Sequence, residues 1–220
     1  MEKTYEMEKN LGILVVYSLN ADLEINWETL YEKGKKMGIE KEDIPLPTPA
    51  RRNLNILTIK EIRRAILKFL EKCRGISIRE SGGVVFIPKY FLCEWLQYSK
   101  FLTEFNGIEI VNIDVYETTA NKKMIAQALI EDIRGRLKVE IKKVSDRTAK
   151  GNIKELSSSL ALDLGTKKMS DRALEFMRER MNSTVNKVDL FEKVLEMDME
   201  YVRKELNVVR NIIRNSRGFW

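Results

Sequence analysis

Two glycines set between two short β-branched runs place the tightest constraint on what this chain can fold into. Ile76-Ser-Ile-Arg79 and Val84-Val-Phe-Ile87 flank Glu80-Ser-Gly-Gly83. Valine and isoleucine suit a half-buried pleated surface, and paired glycines supply the positive-φ positions of a chain reversal, so the stretch predicts a β-hairpin. Pro88 has no N–H to give to a ladder. The second strand should therefore stop there and hand over to a helix.

Helical spacing stands on both sides of the hairpin. Ahead of it, Ile59, Ile62, Ala65, Ile66, Phe69, Leu70 and Cys73 recur at three and four residues. Thr58 followed by Glu61 fits a capping box, and Gly75 supplies a stop. Behind it, Phe91, Leu92, Trp95, Leu96, Phe101, Leu102 and Phe105 form a second apolar stripe that ends at Asn106-Gly107. Ile108, Ile110 and Ile113 to Val115 then read as a strand. With the apolar run Leu11 to Leu19 placed in front as a central strand, the order becomes β-α-β-β-α-β, the ferredoxin-like α+β plan. The interval of about residues 20–57 is then an insertion. It holds a helix near Trp27 to Met37, an extended surface connector over Lys41 to Arg52 that contains Pro45, Pro47 and Pro49, and a short edge strand near Asn53 to Leu57. A winged-helix arrangement with Ile76 to Ile87 as the wing is the competing plan.

From Thr118 the pattern changes to long helices, so the expected organisation is an α+β domain over 1–117 and a helical appendage over 118–220. Ile125, Leu129, Ile133, Leu137 and Ile141 recur every four residues, with Gly135 inside the run marking a kink or a close helix contact. A break is expected at Ser145 to Asn152, a short helix at Ile153 to Leu164, a helix capped at Ser170-Asp171, and a last helix from Asn186 to Arg214. Asp198 and Glu205 fall on the apolar line of that last segment. Two charges in a seam disfavour a long zipper, and a helical hairpin or small bundle fits better.

Composition narrows the chemistry. The 220 residues include no histidine, which removes the imidazole base, the imidazole members of nucleophilic triads and the commonest zinc ligand. Cys73 and Cys93 lack the spacing of a metal knuckle or a disulfide framework and read as small buried hydrophobes. The glycines at 82 and 83 join two strands and are followed by Val84, so they are not a phosphate loop. No catalytic residue, cofactor or metal site is expected. Leu11 to Leu19 is about half a membrane span, which predicts no membrane partner and a cytoplasmic protein.

The net charge of +6 is localised: residues 134–180 carry thirteen basic against seven acidic side chains. Arg134, Arg136, Lys138, Lys142, Lys143, Arg147, Lys150, Lys154, Lys167 and Lys168 are the candidate contacts to DNA or RNA phosphates. On one continuous helix Arg136, Lys143, Arg147, Lys150 and Lys154 would share a flank. Phe86 with Tyr17, near Arg79 and Lys89, offers a second nucleic-acid reading, base stacking on the sheet.

The helix before Gly75, the Arg79-Glu-Ser-Gly-Gly-Val-Val-Phe-Ile-Pro88 strand pair, the helix after it and the Ile110 to Tyr116 strand together resemble an uncharacterised family of phage and archaeal mobile-element proteins. Its members carry a Gly-Gly-Val-aromatic-Phe/Ile/Val-Pro run after a helix, then a helix, a strand and a long helical tail. The resemblance spans Leu57 to Val144, with Val85 where an aromatic is expected. It implies a viral or plasmid setting and brings no catalytic residues. The expectation is thus a non-enzymatic interaction or assembly protein that meets a protein partner or its own copy through the helical tail. Nucleic-acid binding through 134–168 is the alternative.

Overall fold

The computed structural model describes residues 9–47, 55–79, 83–148, 171–200, 202–204 and 206–207. The chain divides into two compact units, Met1–Ala128 and Leu129–Trp220.

The first unit contains β1 (Asn10–Leu19), β2 (Glu24–Asn26), α1 (Trp27–Lys36), β3 (Ile56–Thr58), α2 (Ile59–Lys72), β4 (Ile76–Ser77), β5 (Val84–Pro88), a 3-10 turn (Lys89–Phe91), α3 (Leu92–Thr103) and β6 (Ile108–Tyr116). Four strands form one sheet in the order β4-β5-β1-β6, with every neighbouring pair antiparallel. With α2 and α3 as the crossovers, this is the ferredoxin-like plan that the residue pattern predicts. The winged-helix alternative fails because β5 pairs along its whole length with β1 as an inner strand.

Each element has a local cause. Asn26 caps α1, its Oδ1 accepting from the Thr29 N–H at 3.0 Å. At the start of α2 the Glu61 carboxylate accepts from the Thr58 N–H at 3.0 Å, one half of a capping box. The end of α2 departs from expectation. Arg74, and not Gly75, takes the left-handed conformation, with φ of 56°. Gly75 is needed for space instead, since a Cβ there would stand 2.8 Å from Val85 Cγ1 and 2.9 Å from the Leu70 carbonyl oxygen.

Paired residues share a face of a sheet, so the register sorts the strands. Ile13 with Ile87, Val15 with Val85 and Asn112, and Tyr17 with Ile110 look towards the helices. There they join Ile62, Ile66, Phe69 and Leu70 of α2 and Trp95, Tyr98, Phe101 and Leu102 of α3 in the core. Phe69 and Tyr98 stack with ring centroids 3.8 Å apart, and the Trp95 Nε1–H donates to Asn112 Oδ1 at 2.8 Å. Cys73 is buried in this core, and Cys93 is exposed, against expectation. The buried face of α3 is fixed by Trp95, Tyr98 and Phe101. A residue two positions before Trp95 lies about 200° around the helix.

The insertion is less peripheral than its prolines suggest. Strands β2 and β3 pair as a separate two-stranded sheet, and Ile44, from the proline-rich connector, is buried. Gly34 makes room for it, since a Cβ there would stand 3.0 Å from the Ile44 side chain. Trp27 Nε1 and Tyr98 Oη donate to the Pro45 and Asp43 carbonyls.

Helix α4 (Thr119–Thr148) begins in the first unit and runs on into the second, through the break expected at Ser145. Among the described residues nothing lies within 4 Å of where a Gly135 Cβ would stand, so no described helix makes a close contact there. Helix α5 (Asp171–Leu195) passes straight through Asn182-Ser-Thr184, between the two separate helices that the pattern predicts. Thr184 satisfies its hydroxyl inside the helix by donating to the Arg180 carbonyl at 2.9 Å, and so has no need to cap. The reversal comes later, at Glu196, with φ of 51°, and helical residues resume at 200. The residues 186–214 expected as one helix are thus split, which makes the tail a helical hairpin. The segment expected as a short helix at 153–164 lies outside the described residues, as does the cap at Ser170.

Candidate interaction surface

The side of the sheet away from α2 and α3 carries Gly12, Leu14, Val16 and Ser18 of β1, Val84 and Phe86 of β5, Ile76 of β4 and Val111, Ile113 and Val115 of β6. It is closed at one end and open at the other. Phe86, Ile76 and Val115 are buried, whereas Val111 and Ile113 are 55% and 49% exposed, and Leu14, Val16 and Val84 are half-buried. The open end is aliphatic. Phe86 is sealed and Tyr17 faces the helices, so the two aromatics form no platform on which a base could stack.

Strand β6 is also an edge. Among the described residues β1 pairs with it on one side and no strand pairs with it on the other. The Asn20 N–H donates to the Gly107 carbonyl and the Glu117 N–H to the Lys9 carbonyl, so odd-numbered residues of this segment turn their main-chain groups to β1. Alternation then turns the N–H and C=O groups of Ile108, Ile110, Asn112, Asp114 and Tyr116 outward. The two acidic side chains of the strand are held back towards β1. Ser18 Oγ donates to Glu109 Oε2 and Asn10 Nδ2 to Asp114 Oδ1, each at 3.1 Å.

The basic segment is only partly within view. Arg134 and Arg136 sit on α4, half-buried and exposed respectively. Arg136 Nε donates to both carboxylate oxygens of Asp132 at 3.2 Å, and the buried Lys187 of α5 reaches the same carboxylate at 2.8 Å. Arg136 is thus engaged in an ion pair that belongs to the junction of α4 with α5, a junction that spacing alone does not disclose. Lys138, Lys142, Lys143 and Arg147 occupy backbone positions of α4, and their side chains lie outside the described residues. So do Lys150, Lys154, Lys167 and Lys168 altogether.

Several other charged groups are engaged in structure. Lys72 Nζ meets Glu40 at 2.5 Å and Asp43 at 2.6 Å, tying the connector to α2. The bond to Asp43 and then that to Glu40 raise the Lys72 ammonium above its ordinary range, and the bond to Lys72 holds the Glu40 carboxyl below its own. Burial, followed by the charge of Glu94, pushes the Cys73 thiol up to about 12, leaving it protonated and unreactive at neutral pH. Tyr98 is raised by burial as well. In the second unit Arg203 donates to Asp189 at 2.6 Å and to Glu192, and Glu192 Oε1 accepts from the Met199 N–H at 3.0 Å, so one cluster closes the turn of the tail. Among the described residues no group of three Cys, Asp or Glu side chains is placed to hold a metal ion, and no helix is long and apolar enough to cross a membrane.

Fold and surface together define a ferredoxin-like α+β protein with a helical tail and an open, aliphatic sheet edge. Residues 50–216 match DUF6744, a family of unknown function, and the chain belongs to that family. The matched stretch starts in the connector and takes in the hairpin, α3, β6 and the tail. No curated protein and no solved structure matches the chain.

Proposed function

We propose that this chain is a non-enzymatic interaction or assembly protein of a virus or plasmid, working in the cytoplasm by burying apolar surface against another protein. The observation that supports this reading is the solvent-facing Val111 and Ile113 pair on an edge strand, beside Leu14, Val16 and Val84. Aliphatic side chains transfer no protons and coordinate nothing; what they gain from a partner is removal from water, about 25 cal/mol for each Å² covered. The helical tail is a second route to self-association.

The test is a photoreactive amino acid at Ile113, with the exposed Lys60 as control site, in the full chain made in its natural host. Protein adducts at 113 and none at 60 are expected. An absence of adducts at 113 overturns the reading.

A nucleic-acid reading has one supporting observation: α4 continues to Thr148, so positions 136, 143 and 147, spaced by seven and four, run along one helical flank. Retention on DNA or RNA should then fall steeply between about 50 and 200 mM salt. It should vanish in Lys143→Glu/Arg147→Glu, and no retention at the lower salt would sink this reading.

A further inference from the structure

We infer that β6 is a self-pairing edge, and that its occupant is β6 of a second copy of this chain, joined antiparallel about a two-fold axis at Asn112. The inference deepens the interaction reading above and rests on it. An edge strand of nine residues without proline or lysine, with no strand on its outer side among the described residues and two exposed aliphatic side chains, lacks the usual protection of an edge. The strand does carry two acids, but Ser18 and Asn10 hold both against β1.

The choice of a second copy follows from parity and register. The outward main-chain groups belong to the even-numbered residues, so a two-fold centred on Asn112 brings like with like: Ile108 faces Tyr116, Ile110 faces Asp114 and Asn112 faces itself. All of these are hydrogen-bonding positions, and together they give about ten main-chain bonds along the whole strand. In the same register Val111 of each copy lies opposite Ile113 of the other, on the open side of the sheet. The two exposed patches become one contiguous belt of four aliphatic side chains, each flanked by its cross-strand neighbour. Glu109 faces Val115 and Asp114 faces Ile110, so no like charges oppose. Two four-stranded sheets thereby join into one of eight.

Two measurements on the full chain decide it. Sedimentation velocity from about 1 to 200 µM should show a monomer–dimer equilibrium. Asp114→Pro, which removes an outward N–H and leaves the β1 ladder alone, should weaken it about tenfold or more with an unchanged far-UV circular dichroism spectrum. In a Cys93→Ser background, Val111→Cys and Ile113→Cys proteins are oxidised with copper phenanthroline separately and mixed. Opposed non-hydrogen-bonded residues stand about 4.5 Å apart between Cα atoms, within disulfide reach, so the mixture should cross-link and each protein alone should not. A dimer that ignores Asp114→Pro and does not cross-link overturns the β6 pairing and leaves association through the tail. A strict monomer overturns the pairing too, and adducts to a different protein at position 113 would then still uphold the interaction reading.

Discussion

Replacing Gly12 with alanine should be among the most damaging single changes in the first unit. Gly12 lies in β1 beside the irregularity that shifts the register with β6 between Asn10 and Gly12, and its φ is 154°. A Cβ built there stands 2.0 Å from the Ile87 carbonyl oxygen and 2.9 Å from Phe86 Cζ. Carbon and oxygen need about 3.2 Å, so either β1 and β5 separate by about 1 Å or the backbone turns, and no flexible side chain can absorb the difference. Separation of that size forfeits the adjacent Ile13–Ile87 bonds. Each is worth about 1 kcal/mol net, and more once its partners are left unpaired inside the sheet. The backbone conformation adds about 1–3 kcal/mol for a residue with a Cβ, and the displaced Phe86 loses packing as well. The expected total is about 4 kcal/mol, a large share of the 5–15 kcal/mol typical of a domain. Urea unfolding followed by circular dichroism measures it. Gly83→Ala separates the two contributions, because Gly83 has φ of 84° but nothing within 4 Å of a Cβ, and should lose only about 1 kcal/mol. If Gly12→Ala unfolds within about 1 kcal/mol of the parent protein, the steric account is wrong.

Other outcomes follow from the same structure. Of the two free thiols only Cys93 should react with Ellman's reagent in the native protein, and Cys73 should appear in denaturant; two fast thiols in the native state would contradict the burial of Cys73. Glu61→Ala removes the acceptor of the Thr58 N–H and should lower the urea midpoint by the equivalent of about 1 kcal/mol, whereas a neutral result would show that the cap contributes nothing. Glu192 is held below its ordinary 4.5 by Arg203, so its contribution is complete above that pH and disappears as pH falls through the lower folded value. Amide protection at Met199 and Arg203, taken relative to the intrinsic exchange rate at each pH, should accordingly fall on acidification, and Glu192→Gln should lower it at neutral pH. Protection that stays flat with pH in the parent protein refutes the coupling.

The tail is the helical hairpin that the pattern predicts, but its helix boundaries differ for a reason that particular residues make clear. Asn182, Ser183 and Thr184 have the composition of a helix boundary, but a threonine can return its hydroxyl to its own helix, as Thr184 does to Arg180. Asp198, which looks like a charge misplaced in a seam, instead accepts from the Glu200 N–H at 2.7 Å, at the start of the next helical stretch. That signal was present in the sequence. The ion pair of Lys187 with Asp132 was not, since 55 residues separate them and nothing local links the two.

The order and type of the elements in the first unit, apart from the short β2 in what reads as a loop, were fixed by local chemistry: β-branched runs broken by Gly82-Gly83, stripes at three and four residues, Pro88 as a stop and Thr58 with Glu61 as a start. Period and turn preference act over a few residues, so they can be read along the chain. Which strand became the edge, which end of the sheet stayed open, and which of Phe86, Val111 and Ile113 met water depended on pairings between residues as far apart as Leu14 and Ile113. The exposed surface is therefore a property of the assembled sheet. Val111 and Ile113 are as apolar as Leu14 and Val16 on the same face, and their place on the edge strand at the open end leaves them the more exposed.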